Sequence, residues 1–148
     1  MAEPEDHPSL WVEAIEGVSV IRALGDLDPA GVEALVERIQ RCGELGPVVV
    51  DLSEVTLVAP RPVRRITRAL AQSCPPHQRA LVCRRGSARV LVRTWQLAHS
   101  ISLFMSVGDA LQARRFERSG YGPGWHAAAP LRRRLPPARR DARRDSNP

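Results

Sequence analysis

The sequence predicts an α/β fold in which a mixed, largely parallel β-sheet is covered by about four helices. Short segments rich in β-branched residues alternate with segments of helical periodicity, in the order β-β-α-β-α-β-α-β-α. The first two strands are close enough to form a hairpin. The third is a continuous apolar run, which is typical of a buried parallel strand. Strands that alternate with helices after an opening hairpin imply parallel crossovers.

The opening hairpin and the first helix carry clear local signals. Strands are predicted over 10–14 and 18–24, with a turn at Glu16-Gly17. Asp28 is a good N-cap, and Pro29 suits the first helical position. Apolar side chains at helical spacing and a terminal glycine complete the helix, namely Val32, Leu35, Val36, Ile39 and Gly43.

The rest of the folded part continues the alternation. The predicted elements are a strand over 47–52, a helix over 62–72, a strand over 79–84, a helix from Ser87 to about residue 97, a strand over 100–105 and a helix over 106–119. Ser106 and Asp109 have the spacing of a capping box at the start of the last helix.

Composition divides the chain into a near-neutral body and a basic tail. The 148 residues suit one domain, and all 22 basic residues are arginine. Ten of these arginines lie in 114–148, beside only three acidic residues. We therefore expect a flexible N-terminus over 1–9, a domain over 10–118, and a disordered tail rich in arginine and proline over 119–148.

Other features of the sequence limit the setting of the protein. The start is acidic and lacks the apolar core of a signal peptide, and no apolar run approaches the ~20 residues of a membrane span. The three cysteines are scattered and odd in number, which argues against a disulfide framework. The sequence predicts a cytoplasmic protein without a membrane span.

A metal site is the one cofactor that the sequence suggests, through Cys74, His77 and Cys83. A zinc site usually needs four ligands at tighter spacing. A connecting loop beside a buried cysteine is the preferred interpretation, and no cofactor is expected.

Three motifs together resemble a known family. They are "GDLD" at 25–28, "VVVDLSEVTLV" at 48–58 and "SVGDALQA" at 106–113. In their spacing and element order they resemble the STAS domain of anti-sigma factor antagonists, over roughly residues 10–115. The resemblance implies a STAS-like (SpoIIAA-like) fold. It also implies a partner, an anti-sigma factor that is a serine kinase of the histidine-kinase-like ATPase fold.

The resemblance implies a phosphorylation site that this chain has lost. In the family, the segment after the "DLS" motif places a phosphorylatable serine at a helix N-terminus. Aligned with that segment, Ala59 stands in place of an aspartate, Pro60 in place of the serine, Arg61 in place of a second serine and Pro62 in place of a glycine. Proline has no hydroxyl, so Pro60 cannot accept phosphate.

Other hydroxyls near this position are Ser53, Thr56 and Thr67. Neither Ser53 nor Thr56 falls at the helix start, so replacement of the lost site is not expected. Asp51 is interpreted as structural, ending a buried strand and satisfying backbone donors in the turn that follows.

The Pro-Arg-Pro turn is predicted to stiffen the start of a basic helix. Pro62 suits the first helical position, and Arg61, which precedes a proline, suits the cap. Arginines near a helix N-terminus oppose the macrodipole, which favours an acidic partner, although a merely solvated helix face is an equal alternative. Asp28 is interpreted as a cap only. The expected partner-binding residues are Asp26, Ala59, Pro60, Arg61, Pro62, Arg64, Arg65 and Arg68.

The leading hypothesis is a non-catalytic transcription regulator that binds an anti-sigma kinase and is not switched off at residue 60. The first alternative is a STAS-like scaffold in a signalling or transport complex. The second is a nucleic-acid-associated protein that uses the arginine tail. A homodimer and weak nucleic-acid contact through the tail are compatible with all three hypotheses. No constellation of residues suggests an enzyme.

Overall fold

The computed structural model describes residues 10–57, 59–84, 100–118 and Trp125. Within these residues the chain forms five strands, three α-helices and a short 3-10 helix. The helix predicted over 87–97 lies outside the described residues. In chain order the elements are β1 (Leu10–Ile15), β2 (Val18–Asp26), α1 (Pro29–Gly43), β3 (Val48–Leu57), α2 (Pro60–Ser73), the 3-10 helix (Pro76–Gln78), β4 (Arg79–Val82), β5 (Ser102–Phe104) and α3 (Val107–Arg118).

The five strands form one sheet in the order β1-β2-β3-β4-β5, so each strand lies beside its predecessor in sequence. β1 is antiparallel to β2, and the other three neighbouring pairs are parallel. The mixed, largely parallel sheet predicted from the sequence is therefore confirmed. The carboxyl ends of parallel strands meet at one edge of a sheet, and this edge holds the start of α2.

The β1–β2 hairpin is closed by the predicted two-residue turn. Glu16 and Gly17 have φ values of 54° and 81°. Positive φ at both central residues defines a type I′ turn, whose twist matches that of the two strands. Ile15 lies opposite Val18, and the pairing continues without interruption to the start of β1.

β3 is longer than the sequence predicts, because the second half of β2 gives it a partner. Leu24 lies opposite Glu54 after one irregularity in the register, and Asp26 lies opposite Leu57 after a second. The prediction that this strand ends at about residues 51–52 is therefore wrong. A strand that continues in this way delivers the chain to α2 with one residue, 58, before the N-cap of that helix.

The Asp51 carboxylate holds the middle of β3 through local and cross-strand bonds. Its Oδ1 accepts hydrogen bonds from the backbone N–H of Ser53 at 2.9 Å and from the Ser53 hydroxyl at 2.6 Å. Its Oδ2 lies 3.2 Å from a guanidinium nitrogen of Arg22, which also contacts Glu13 on β1. The structural role predicted for Asp51 is confirmed, and the buried carboxylate is satisfied by charge-assisted bonds.

Alternate residues of the strands build two apolar layers, one on each face of the sheet. The first layer packs against α1 and α2, and the second packs against α3. Representative strand residues are Ile21, Val50 and Leu81 in the first layer and Val20, Val49 and Val82 in the second. Aliphatic side chains dominate both layers, as expected for a chain with 4% aromatic residues.

Trp125 belongs to the second layer although the sequence places it in the expected tail. Its side chain is fully buried, and its ring centroid lies 6.3 Å from that of Phe104. The indole Nε1 donates a hydrogen bond of 2.8 Å to the carbonyl of Ala110, and the Arg114 guanidinium lies over the ring at 5.5 Å. The packed unit therefore reaches beyond the predicted boundary at residue 118, to Trp125.

Arg79 is a buried arginine that ties α2 to the chain before β5. Its guanidinium donates to the carbonyls of Ala71 at 3.1 Å, Cys74 at 2.7 Å and Ser100 at 3.2 Å. Burial lowers the pKa of Arg79. We expect Arg79→Met to lower the free energy of unfolding by about 2–4 kcal/mol, because the buried bond to the Cys74 carbonyl and two part-buried bonds are lost, and an unsatisfied buried acceptor costs about 1–3 kcal/mol. Urea unfolding measures this, with the exposed Arg41→Met as the control; equal midpoints for the two variants would contradict the role.

Glu16 and Arg115 join the hairpin turn to α3 by a bidentate ion pair. The distances from Nε to Oε1 and from Nη2 to Oε2 are 2.9 and 2.8 Å. Hydrogen bonding to Arg115 lowers the pKa of Glu16 below its ordinary 4.5.

A lowered folded-state pKa stabilises the fold above the unfolded-state value, and this stabilisation is lost as the pH falls through the folded-state pKa. We expect Glu16→Gln to be slightly less stable than the wild type at pH 7 and equally stable near pH 2, by urea midpoints. A difference in urea midpoint that is the same at pH 7 and at pH 2 would contradict the stabilising role of the ion pair.

Candidate functional site

α2 begins at the Pro-Arg-Pro turn, two residues earlier than predicted. Ala59 is the N-cap in an extended conformation, with φ −124° and ψ 160°, and Pro60 is the first helical residue. The N–H of Val63 donates to the Ala59 carbonyl at 3.4 Å and closes the first turn. The prediction that Arg61 is the cap and Pro62 the first helical residue is therefore wrong. Ala59 precedes a proline, and this restricts it to the extended conformation that an N-cap needs.

The N-terminus of α2 carries no side-chain cap, and the two prolines explain why this is tolerated. Ala59 has no side-chain oxygen to accept from the first turn. Pro60 and Pro62 lack backbone N–H groups, so Arg61 is the one residue of the first three with a donor to satisfy. The usual cost of ~1 kcal/mol for an alanine cap should accordingly be reduced here.

The four predicted arginines lie on one exposed face of α2. Arg61, Arg64, Arg65 and Arg68 follow the helical spacing of three and four residues and line a shallow depression of about 130 Å³. The opposite face of α2 buries Val63 and other apolar residues against the sheet. The first turn of α2 contains no acidic residue, so the macrodipole and the arginines together make this end positive.

A groove of about 340 Å³ separates the start of α2 from the start of α1. Leu27, Pro29 and Val32 form its apolar wall, and Pro62 lies on the other side. At its rim the Arg65 guanidinium lies 2.7 Å from a carboxylate oxygen of Glu33 on α1. The groove therefore combines an apolar wall with a charged rim, which suits an amphipathic protein segment.

Sequence reasoning missed this groove, although part of the signal was present. The helical spacing of α1 places Glu33 on the polar side of that helix. The residue that contacts Glu33 depends on how α1 packs against α2, and this packing cannot be predicted from the sequence pattern. Leu27 lies between the predicted strand over 18–24 and the helix that begins at Pro29, where no periodicity marks it as part of a surface.

Asp26 lies at the same end of the sheet as the start of α2. It is the last residue of β2, opposite Leu57, and its Oδ1 accepts a hydrogen bond of 2.5 Å from the hydroxyl of Thr56. All the predicted partner-binding residues are exposed apart from the half-buried Pro62. The fold thus gathers the predicted residues at one end of the molecule, on neighbouring elements.

The remaining hydroxyls near residue 60 already have partners within the protein. The buried Thr67 hydroxyl donates within α2 to the Val63 carbonyl at 3.0 Å, and Ser53 bonds to Asp51. Thr56 is exposed but bonded to Asp26. A phosphate on Thr56 would therefore meet a carboxylate, which is unfavourable.

Two further predictions concern Asp28 and the cysteines. Asp28 caps α1 as predicted, since its Oδ1 accepts from the N–H of Gly31 at 2.7 Å. Cys42, Cys74 and Cys83 are buried free thiols, and burial raises the pKa of Cys74 to about 11. Such a thiol is protonated at neutral pH and reacts slowly. Among the described residues, no group of three or more cysteine, histidine or acidic side chains could hold a metal ion.

Solved structures of anti-sigma factor antagonists resemble the chain. The crystal structure of an anti-sigma factor antagonist from Mycobacterium paratuberculosis matches at 25% identity with a TM-score of 0.63, over 78% of this chain and 99% of that chain. The structure of the anti-sigma factor antagonist SpoIIAA in its unphosphorylated form matches at 16% identity with a TM-score of 0.49, over 73% of this chain and 97% of that chain. No family model and no curated protein sequence matches the chain.

The fold is that of the STAS domain of anti-sigma factor antagonists. The chain, with its mixed five-stranded sheet, matches the Mycobacterium structure over almost the whole length of that structure's chain. The resemblance that the sequence motifs indicate is therefore confirmed. Three helices are present in the part of the chain that the structure describes, where about four were expected for the whole. None of the described helices is long and apolar enough to cross a membrane.

Proposed function

We propose that this protein is a non-catalytic regulator of bacterial transcription that acts in the cytoplasm. It binds an ATP-binding anti-sigma factor through the α2 surface, meaning Asp26, Ala59 to Pro62, Arg64, Arg65 and Arg68. Because it has no hydroxyl at residue 60, the kinase activity of that partner does not release it. The protein then acts as a constitutive antagonist or as a decoy.

One observation carries this proposal. Pro60 occupies the first position of α2 in a fold that matches an anti-sigma factor antagonist over 99% of that chain. By the alignment of the sequence motifs, this turn corresponds to the one that presents the serine in the family, and residue 60 carries no modifiable group. A phosphoserine would bring about −1.5 to −2 charges to this helix N-terminus. Without that phosphate, the arginines leave the start of α2 positively charged, which favours an acidic surface on the partner.

The chemistry of the α2 surface supports an acidic, partly apolar partner segment. Guanidinium groups at helical spacing can bind carboxylates in bidentate geometry. The neighbouring groove offers Leu27, Pro29 and Val32 to an apolar side chain. Binding should therefore weaken with salt without vanishing, because screening affects the exposed charges but not the apolar contact.

The test is affinity capture from the native host followed by a defined binding assay. Tagged full-length protein is used at moderate salt, and captured proteins are identified by mass spectrometry. The captured anti-sigma kinase is then purified and mixed with the protein, with and without Mg-ATP. We expect binding to be equal in both cases and the intact mass of the protein to be unchanged. Loss of binding with ATP, together with a phosphate on the protein, would overturn the proposal, and so would the absence of any ATP-binding anti-sigma factor.

A further inference from the structure

β1 is an edge strand whose outer side faces no other strand among the described residues. It lies first in the sheet order and pairs only with β2, through six consecutive residue pairs without a bulge. An edge strand presents a row of unpaired N–H and C=O groups, which can pair with another chain. In the part of the chain that the structure describes, the outer side of β1 is therefore an unpaired edge.

The geometry of the hairpin determines which backbone groups point outward. A two-residue type I′ loop is closed by a hydrogen-bonded pair, here Ile15 and Val18. In an antiparallel ladder, hydrogen-bonded and non-hydrogen-bonded pairs alternate. The N–H and C=O of alternate residues thus point away from β2, and these residues are Leu10, Val12 and Ala14.

β1 has almost none of the features by which proteins protect an edge strand. It contains no proline, no basic residue and no bulge. Its single charged residue, Glu13, is held by Arg22, with Nε and Nη2 of the guanidinium at 2.9 and 2.8 Å from the same carboxylate oxygen. Trp11 is 41% exposed on the same face of the strand. Protected edges usually carry charges, prolines or bulges, so this edge is suited to pairing.

We propose that β1 is the interface with a second copy of this chain. The two β1 strands pair antiparallel about a two-fold axis perpendicular to the sheet, which makes one continuous sheet of ten strands from two five-stranded sheets. Homodimers of this symmetry use the same surface patch on both copies. This interface is independent of the proposed function, since the α2 surface lies on other elements.

Symmetry and charge select one register for this pairing. A two-fold axis perpendicular to the sheet keeps the same face of both strands on one side of the sheet. Directly opposed residues then share a face, so they are separated by an even number of positions in the sequence. One residue must therefore lie opposite its own copy. Only the registers centred on Val12 or Glu13 pair five residues of each six-residue strand. Centring on Glu13 opposes two carboxylates, which is destabilising. Centring on Val12 places Trp11 against the partner's Glu13 and joins the outward groups of Leu10, Val12 and Ala14.

The decisive variants are Val12→Pro and Val12→Thr, compared with the wild type. Proline removes an N–H that points away from β2, and edge strands tolerate it there, so the fold should be retained. Threonine keeps the N–H and the shape of the side chain. Sedimentation velocity of the nuclease-treated full chain, at high salt and over a wide concentration range, measures dimerisation. We expect a dimer for the wild type and Val12→Thr, and at least a tenfold higher dissociation constant for Val12→Pro.

Trp11→Glu provides a second test that does not depend on proline being tolerated. Its carboxylate would face the partner's Glu13 in the proposed register, so the dimer should weaken by a similar factor. Far-ultraviolet circular dichroism checks the fold of each variant. A wild type that stays monomeric at all concentrations would overturn the proposal. A dimer that neither Val12→Pro nor Trp11→Glu weakens would place its interface elsewhere and would equally overturn it.

Discussion

Replacing Trp125 with alanine should lower the free energy of unfolding by about 3–5 kcal/mol, the range observed when a large aromatic residue is removed from a protein core. The indole is fully buried between α3 and the sheet. Its loss also leaves the Ala110 carbonyl without the Nε1 donor and removes the contact with the Arg114 guanidinium. Urea unfolding followed by circular dichroism measures the change.

Two variants make this prediction specific to the buried ring. Trp125→Phe keeps an aromatic ring but loses the Nε1 donor, so it should cost less than Trp125→Ala. Leu45→Ala removes a large apolar side chain that is 82% exposed and should change stability by no more than about 0.5 kcal/mol. Equal stability of Trp125→Ala and Leu45→Ala would show that Trp125 does not hold α3 on the sheet.

The role of Trp125 also changes how the tail should be removed. A chain that ends at residue 118 loses the arginine tail and the buried indole together. Any loss of binding by that chain could reflect a destabilised fold. A chain that ends shortly after Trp125 separates the two effects, and it is the appropriate test of nucleic-acid binding by the tail.

Reversing two charges on the α2 surface should weaken binding of the anti-sigma partner about a hundredfold. The double variant Arg61→Glu with Arg68→Glu places carboxylates at both ends of the arginine row. Like charges brought together across an interface cost several kcal/mol, and each ~1.4 kcal/mol is a factor of ten in affinity. Isothermal titration calorimetry with the purified partner measures the loss.

A control with the same change in net charge tests whether the effect is local. Arg41→Glu with Arg118→Glu reverses two exposed arginines, one in the last turn of α1 and one in the last turn of α3. Because neither lies at the start of α2, this variant should bind almost as well as the wild type. Equal losses for the two double variants would mean that net charge, and not the α2 surface, governs association.

Local signals explain why most of the elements could be predicted from the sequence. Asp28 and Pro29 define the start of α1 by their own chemistry, and the Glu16-Gly17 turn needs only positive φ values. The alternation of strands and helices then restricts the topology, because parallel crossovers have one hand. The mixed, largely parallel sheet and the position of the α2 surface follow from these signals.

The features that the sequence did not reveal depend on long-range partners. β3 extends to Leu57 because β2 lies beside it, and nothing in the residues after Asp51 requires a strand. Pro60 and Pro62 both suit the first position of α2, and local sequence rules do not distinguish between them. Trp125 lies in a segment rich in glycine, proline and alanine, where no periodicity marks a core residue. Its burial depends on two long-range interactions, the ring contact with Phe104 and the hydrogen bond to the Ala110 carbonyl.

The sequential order of the strands has a consequence for synthesis on the ribosome. Each strand pairs with the strand translated just before it, so the sheet can grow as the chain emerges. One apolar layer is covered as α1 and α2 appear. Among the described residues, the other layer, with Val20, Val49 and Val82, is covered by α3 and Trp125. The nascent chain therefore exposes this apolar face until residue 125 has been translated. A ribosome that stalls before residue 125 would release a product prone to aggregation.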